Sequence, residues 1–458
     1  MGFFIPASRR QNLAKYAYSG TDKSLLSRYL LTPYWNWLVT LFPMSFAPNL
    51  ITLLGLAFVG VNFVTLLYFE PTLQCVAKPV HKSLGGSWDP LFAPSKESYA
   101  HAGLRWVSSK LGFIKSVPEE ALLQPCPGSW MYFSFAIGLF IYQSLDAIDG
   151  KQARRTGTSS PLGEMFDHGC DAINTTLEVI LTASALNLGQ GWWTVASQVA
   201  TLANFYLTTW EEYNTSVLFL SAFSGPVEGI LMICVIFTIT GFKGPQFWDQ
   251  GVLTVTGLKD VPQVAKLGIK DLPLNDAFLV FGLAGLLFNI ISSYANVVSA
   301  RRKAGKSTLT PLFGLLPFAV TATLNVLWLR GTPAILREHL ITFCAYWGIS
   351  FAYQVGLLIV AHVTKGPFPY YNMLMIVSAL GALDSVMEIQ PSKQLLGNDG
   401  PLALVYVALG LALALYAFFV LDVIYDVCDF FDINCLTIKR KEPKGKEAVK
   451  SAKGGKKQ

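Results

Sequence analysis

Residues 146–174 read DAIDGKQARRTGTSSPLGEMFDHGCDAIN and follow directly on the apolar run 129–145, SWMYFSFAIGLFIYQSL. The stretch carries five acids, one histidine and three basic residues. Ionisable groups are costly in or beside a bilayer, and an acid held there is by default a functional candidate. Reading outward from this stretch decides both the fold class and the chemistry.

The chain has 458 residues, of which 52% are hydrophobic, 13% aromatic and 14% charged. Its mean hydropathy is +0.43. A soluble domain carries about 25% charged residues. Apolar stretches recur near 49–69, 130–148, 166–188, 191–209, 216–240, 276–299, 309–329, 338–363, 370–389 and 402–427. Each approaches the ~20 residues that cross a bilayer, and backbone satisfaction in lipid requires them to be helices. The expected fold class is therefore an all-α, polytopic integral membrane protein with about ten transmembrane helices. Residues 1–20 lack the apolar core of a signal peptide. The segment TDKSLLSRYLLTPYWNWLVTLF, beginning at Thr21, is amphipathic, basic and tryptophan-rich, and is expected as a helix lying in the membrane interface.

Lysine and arginine set the orientation. The tail 438–458 carries nine Lys/Arg against two Glu, a net +7 that accounts for the whole chain's +6. The excess charge is therefore a disordered tail and gives no reason to expect nucleic-acid binding. An even number of spans puts both termini in the cytosol, with KQARR (151–155) and RRKAGK (301–306) on the same side and the connections 70–129 and 242–275 opposite. The expected organisation is a cytosolic N-terminus and interfacial helix (1–48), a catalytic helix set (49–240) containing the lumenal loop 70–129, further helices (241–437) and the basic tail (438–458). Cys75 and Cys126 both fall in that loop and would pair if the compartment oxidises them. The remaining cysteines show no metal-ligand spacing.

At 3.6 residues per turn, Asp146, Asp149, Gly150 and Ala153 share one helix face, and Glu164, Asp167, His168 and Asp171 share another. Four facing carboxylates cannot remain ionised without cations. Oxygen ligands select hard ions, Mg²⁺ or Mn²⁺, or Ca²⁺. Two such ions ~3.5–4 Å apart form the clamp used for displacement at phosphorus. Arg154, one turn beyond Gly150, is placed to contact a phosphate. A rival account makes these residues interfacial charges that solvate two helix ends.

The pattern Asp146-x2-Asp149-Gly150-x2-Ala153-Arg154-x8-Gly163-x3-Asp167-x3-Asp171 resembles the signature of the CDP-alcohol phosphotransferases at every defined position. The length, the span count, PNLIT at the start of span one and FDHGCDAIN within the motif are similar to the eukaryotic choline/ethanolamine phosphotransferase branch. The resemblance implies transfer of a phospho-alcohol from CDP-choline or CDP-ethanolamine to diacylglycerol, with release of CMP. It also implies two Mg²⁺ or Mn²⁺ ions on Asp146, Asp149, Asp167 and Asp171, with the nucleotide against Asn49, Asp149, Gly150, Ala153, Arg154 and Gly163. A Glu164–His168 pair is the implied base, and residence in the endoplasmic reticulum membrane with the active site at the cytosolic face is the implied location. The later helices resemble a scaffold or homodimer region.

Several residues keep two readings. His168 suits a base near working pH, yet it could be a hydrogen-bonded structural histidine. Asn49 could simply cap its helix after Pro48. TWEEYNT offers Trp210, Glu212 and Tyr213 as an aromatic–acidic site for a quaternary ammonium, against a reading of interface anchors. Glu228 is expected about halfway along span five, and Asp384 in span nine raises a similar question with less context. Two other functions remain: a same-signature transferase acting on inositol or glycerol phosphate, and a cation transporter with carboxylates in its path. The acids lie at one end of two helices beside an arginine, which argues against a transporter.

Overall fold

The computed structural model describes residues 2–22, 24, 26–75, 126–220, 226–266, 268–388 and 400–439. Most of the 70–129 connection and the basic tail beyond 439 lie outside the described residues. Two short helices come first, α1 (Ala7–Leu13) and α2 (Thr32–Leu38). Ten further helices then fill the ten expected segments. They are α3 (Pro48–Phe69), α4 (Ser129–Thr156), α5 (Pro161–Ala185), α6 (Trp192–Thr215) and α7 (Pro226–Lys243). The second half adds α8 (Leu274–Lys303), α9 (Leu316–Gly331), α10 (Leu340–Val363), α11 (Leu374–Glu388) and α12 (Gly400–Phe431).

Among the described residues, seven helices are long and apolar enough to cross a membrane: α3, α4, α7, α8, α9 with its leading 3₁₀ turn, α10 and α12. The other three expected spans are helical for different reasons. α5 and α6 carry the acidic and amide side chains of the interior, and α11 is only 15 residues long. Burial ranks the helices by position. In α10, 78% of the most apolar window is inside the protein, against 6% in α8. α10 is therefore the central post, packed on α5, α6 and α12, while α8 rests mainly against α6.

Two sequence expectations are corrected. The amphipathic segment does not become helical at Thr21: β1 (Gly20–Asp22) pairs in parallel with β2 (Leu218–Leu220). Ser24 Oγ then accepts a hydrogen bond from the Ser27 N–H at 2.9 Å. From Ser27 the chain runs through a π turn, α2 and a 3₁₀ turn. Leu31, Trp35 and Val39, each four apart, pack on Ile51, Leu145 and Ile148, while Tyr29, Leu30 and Trp37 are exposed. The second correction concerns α7, which begins at Pro226 rather than near 216. Glu228 therefore sits in its first turn, not midway along a span.

The first and last described segments of the chain meet on one side of the bundle. Arg10 forms an ion pair with Asp426, Asn12 Nδ2 donates to the Thr364 carbonyl at 2.8 Å, and Asn49 Nδ2 donates to the Cys435 carbonyl at 3.1 Å. On the opposite side Cys75 and Cys126 form a disulfide that closes the connection between α3 and α4. Gln246 Nε2, just beyond α7, donates to the Cys75 carbonyl at 3.1 Å. The two bonded cysteines are 51 residues apart in sequence. A loop of that length restrains the unfolded chain by about 4 kcal/mol in the chain-entropy account. Reductant should therefore lower the melting temperature of the detergent-solubilised protein. The Cys75→Ser/Cys126→Ser double variant should melt at that lower temperature with or without reductant.

Candidate active site

The site is built by the turn between α4 and α5. Gly157 takes the left-handed conformation (φ +67°) that ends α4, and the Thr158 N–H reaches back to the Ala153 carbonyl at 2.9 Å. This is the glycine-terminated helix end in which a β-carbon would be penalised. Four residues after Gly157, Pro161 opens α5 from an extended Ser160, so its missing N–H removes nothing the helix needs. So short a link keeps the end of α4 close to the start of α5, where the acids of both helices come together.

Ligand oxygens of Asp146, Asp167 and Asp171 all lie within 4.8 Å of one another. Oδ1 of Asp146 and Oδ1 of Asp167 are sealed from solvent without a hydrogen-bond partner. An ionised oxygen buried in that way demands a cation. The donor set is all oxygen, which fits a hard divalent ion. Asp149 lines the same cavity, with Oδ2 accepting a hydrogen bond from Thr52 Oγ1 of α3 at 2.5 Å. Asp171 Oδ1 accepts from the Tyr142 hydroxyl. Thr52 and Tyr142 escape the sequence reading, although Tyr142 precedes Asp146 by four residues and so shares its face.

His168 Nδ1 lies 3.0 Å from the backbone carbonyl of Glu164. A carbonyl can only accept, so Nδ1 carries the proton and Nε2 is left basic. The imidazole is thus oriented by the Glu164 main chain and not by its carboxylate. That carboxylate accepts instead from the Tyr16 hydroxyl, which arrives from beyond α1. Glu164, Glu212 and His362 form a second tight group, with ligand atoms within 4.8 Å of one another.

The polar residues of KQARR divide their work. Lys151 donates to Asn36 at 2.9 Å, Gln152 to the Pro43 and Phe46 carbonyls, and Arg155 to the Phe42 carbonyl at 3.3 Å. These contacts fasten α4 to the amphipathic segment. Arg154 makes no hydrogen bond to a described residue and faces the cavity. A β-carbon added at Gly150 would meet only Arg154 Nη1, at 3.6 Å, so a ligand can approach the backbone there. Asn49 does not cap α3, whose N-cap is Ala47. Its amide nitrogen is held by Cys435, and its Oδ1 stands beside Gly163. Ala153 and Gly163 line the same space.

These residues occupy one end of a cavity of about 1950 Å³. Small-molecule pockets are commonly ~300–1,000 Å³, so there is room for more than a nucleotide. The cavity continues between α6, α7 and α8 past Ile233, Phe278, Leu279 and Leu286. Of the four headgroup candidates only Glu228 is on its wall, where it accepts a hydrogen bond from Ser24. Trp210 is buried and donates to the Pro311 carbonyl at 2.8 Å, and Tyr213 donates to the Gly366 carbonyl at 2.9 Å. Glu212 lies behind Glu164, 4.0 Å from His362 Nε2.

Residues 121–257 match the family described as CDP-alcohol phosphatidyltransferase. Cholinephosphotransferase 1 of Saccharomyces cerevisiae is 35% identical over 96% of this chain and 99% of its own length. Choline/ethanolaminephosphotransferase 1 of the same yeast is 34% identical, with 96% and 99% covered. An uncharacterised CDP-alcohol phosphatidyltransferase class-I protein of Schizosaccharomyces pombe is 37% identical over 94% of this chain and 96% of its own. With the paired acids, the cavity-facing arginine and the glycines in one cavity, the chain belongs to the CDP-alcohol phosphatidyltransferase family and is a CDP-alcohol phosphotransferase.

Proposed function

We propose that the enzyme transfers phosphocholine, phosphoethanolamine or both from the CDP-alcohol to the free hydroxyl of 1,2-diacylglycerol, releasing CMP. The observation that carries this reading is the convergence of Asp146, Asp167 and Asp171 where a polar cavity end passes into an apolar limb. The names of the yeast relatives support choline and ethanolamine as headgroups. The apolar limb supports a lipid substrate.

Asp146, Asp149, Asp167 and Asp171 would hold two Mg²⁺ or Mn²⁺ ions. When bound, such ions neutralise charge on the pyrophosphate and on the departing CMP phosphate. Arg154 binds a phosphate oxygen, and Gly150, Ala153 and Gly163 let the nucleotide lie close to the backbone. Asn49, fixed through its amide nitrogen, offers Oδ1 to the cytidine. The acceptor hydroxyl gives its proton to His168 Nε2 as its oxygen attacks the phosphorus bearing the choline or ethanolamine. The bond from that phosphorus to the CMP oxygen breaks, and CMP leaves as its phosphate. Glu164 and Glu212 meet the charge that then forms on the imidazole. Glu228 is the remaining candidate for the headgroup cation. The arginine- and lysine-rich loops beside the site support a cytosolic active site, in an endoplasmic reticulum membrane.

Purified protein with dioleoylglycerol and Mg²⁺ or Mn²⁺ should release CMP from CDP-choline, CDP-ethanolamine or both. Absence of release with either donor, from folded protein, would overturn the acceptor or headgroup assignment. Asp171→Asn should lower the rate by at least about 100-fold, more than loss of an outer-sphere contact would. Wild-type turnover by that variant would refute the ligand set. His168→Ala should lose about 10²- to 10⁴-fold in kcat while still binding CDP-choline, and loss of binding would make the histidine structural.

A further inference from the structure

The residue that meets the Glu164 carboxylate comes from the far N-terminus. The Phe3 and Phe4 N–H groups donate to Asp422 Oδ2 at 2.8 and 3.0 Å, and Arg10 pairs with Asp426 on the same helix. Ile5 and Leu13 are buried in the core, and Asn12 is tied to the end of α10. Beyond Tyr16 the chain is fixed again by pairing of β1 with β2. A segment anchored on both sides thus delivers one phenol to one carboxylate.

The geometry at that carboxylate is specific. The Tyr16 hydroxyl donates to Glu164 Oε2, and its ring meets the His362 ring edge-on with centroids 5.6 Å apart. Glu164 Oε1 is sealed from solvent without a hydrogen-bond partner. Among the described residues, Tyr16 is therefore the sole hydrogen-bond donor to this carboxylate. Burial, and then the hydrogen bond and charge of Glu164, hold the phenol well above its ordinary value, so it stays a donor at any working pH.

We propose that Tyr16 is a positioning residue for transfer, holding the Glu164 carboxylate where it can face the charge on His168. The inference rests on the reading of His168 as the base and names a part of that machinery carried outside the signature. Tyr16 acts through Glu164 and not on the substrates. Orienting partners of this kind are worth about 10- to 100-fold.

The test is a cycle of Tyr16→Phe, Glu164→Ala and the double variant, assayed for CMP release and for CDP-choline binding. Phenylalanine keeps the ring beside His362 and removes only the hydroxyl. Tyr16→Phe should lose about 10-fold or more in kcat, with KM for CDP-choline, its binding and the melting temperature unchanged. On the Glu164→Ala background the same change should cost nothing further, since its target is gone. Three results would overturn the inference: wild-type kcat in Tyr16→Phe while Glu164→Ala is slow, an equal loss in both backgrounds, or loss of CDP-choline binding with the rate. Wild-type turnover by Glu164→Ala would instead sink the Glu164–His168 reading, and the inference with it.

Discussion

Like charge confined in a small buried volume is the constraint around which this molecule is organised. Three carboxylates with oxygens within 4.8 Å of one another repel by about 3–4 kcal/mol per ionised pair at an effective dielectric near 20. Nothing in the intrinsic preferences of two apolar helices would bring them together. The four-residue link that precedes Pro161 imposes the approach, and Tyr142 and Thr52 each offset part of its cost with a hydroxyl aimed at one acid. Two oxygens nevertheless remain without donors. A fold that leaves carboxylate oxygens sealed and unpaired is poised for a cation, since removing any other compensating group would only raise the cost.

The helices around this pair are placed to hold it. Gly55 of α3 lies so close to α4 that an added β-carbon would stand 3.3 Å from the Tyr142 Cα. That closeness lets Thr52 reach Asp149. On the other flank α10, the most enclosed apolar helix, backs α5 and carries His362 into the second acidic group. The chain termini complete the enclosure, with Cys435 fastening Asn49 from one direction and the N-terminal segment reaching Glu164 from another. Local signature and distant sequence are therefore mechanically one unit.

What was legible in the sequence is whatever has a period or a fixed gap. The ten apolar segments, the two acidic faces and the glycine–alanine–arginine track recur at 3- and 4-residue spacings, and one helix suffices to compare them. What was not legible depends on partners far away in the chain. Thr21 looked helical because its neighbours are amphipathic, but strand pairing with residues 218–220 takes that backbone. The same pairing moves the start of α7 to Pro226 and draws Glu228 out of the middle of a span. Tyr16 has no neighbour in sequence that marks it. Trp210 and Tyr213 had the composition of a cation site, yet neither lines the cavity. Composition reports what a side chain can bind, and only packing decides what it reaches.

The position of the acids along their helices also explains how a single cavity can be polar and apolar. Asp146 and Asp149 sit toward the end of α4, and Glu164, Asp167 and Asp171 toward the start of α5, so most of the acids on the cavity wall are gathered at one level of the bundle. Below it α5 continues through Asn174, Thr175 and Glu178 to Val179 and Ala183 on the cavity wall, a gradient from ionic to apolar within a few turns. The wall that α8 supplies is one helix thick: Phe281 and Leu283 line the cavity and are also 62% and 53% exposed. A helix with so little of its surface inside the protein separates the apolar limb from the surroundings while contributing little to the core. A nucleotide that needs water and charge and an alcohol that needs hydrocarbon would meet such a chamber from different directions. The phosphorus to be transferred would then lie at the one level where both environments end.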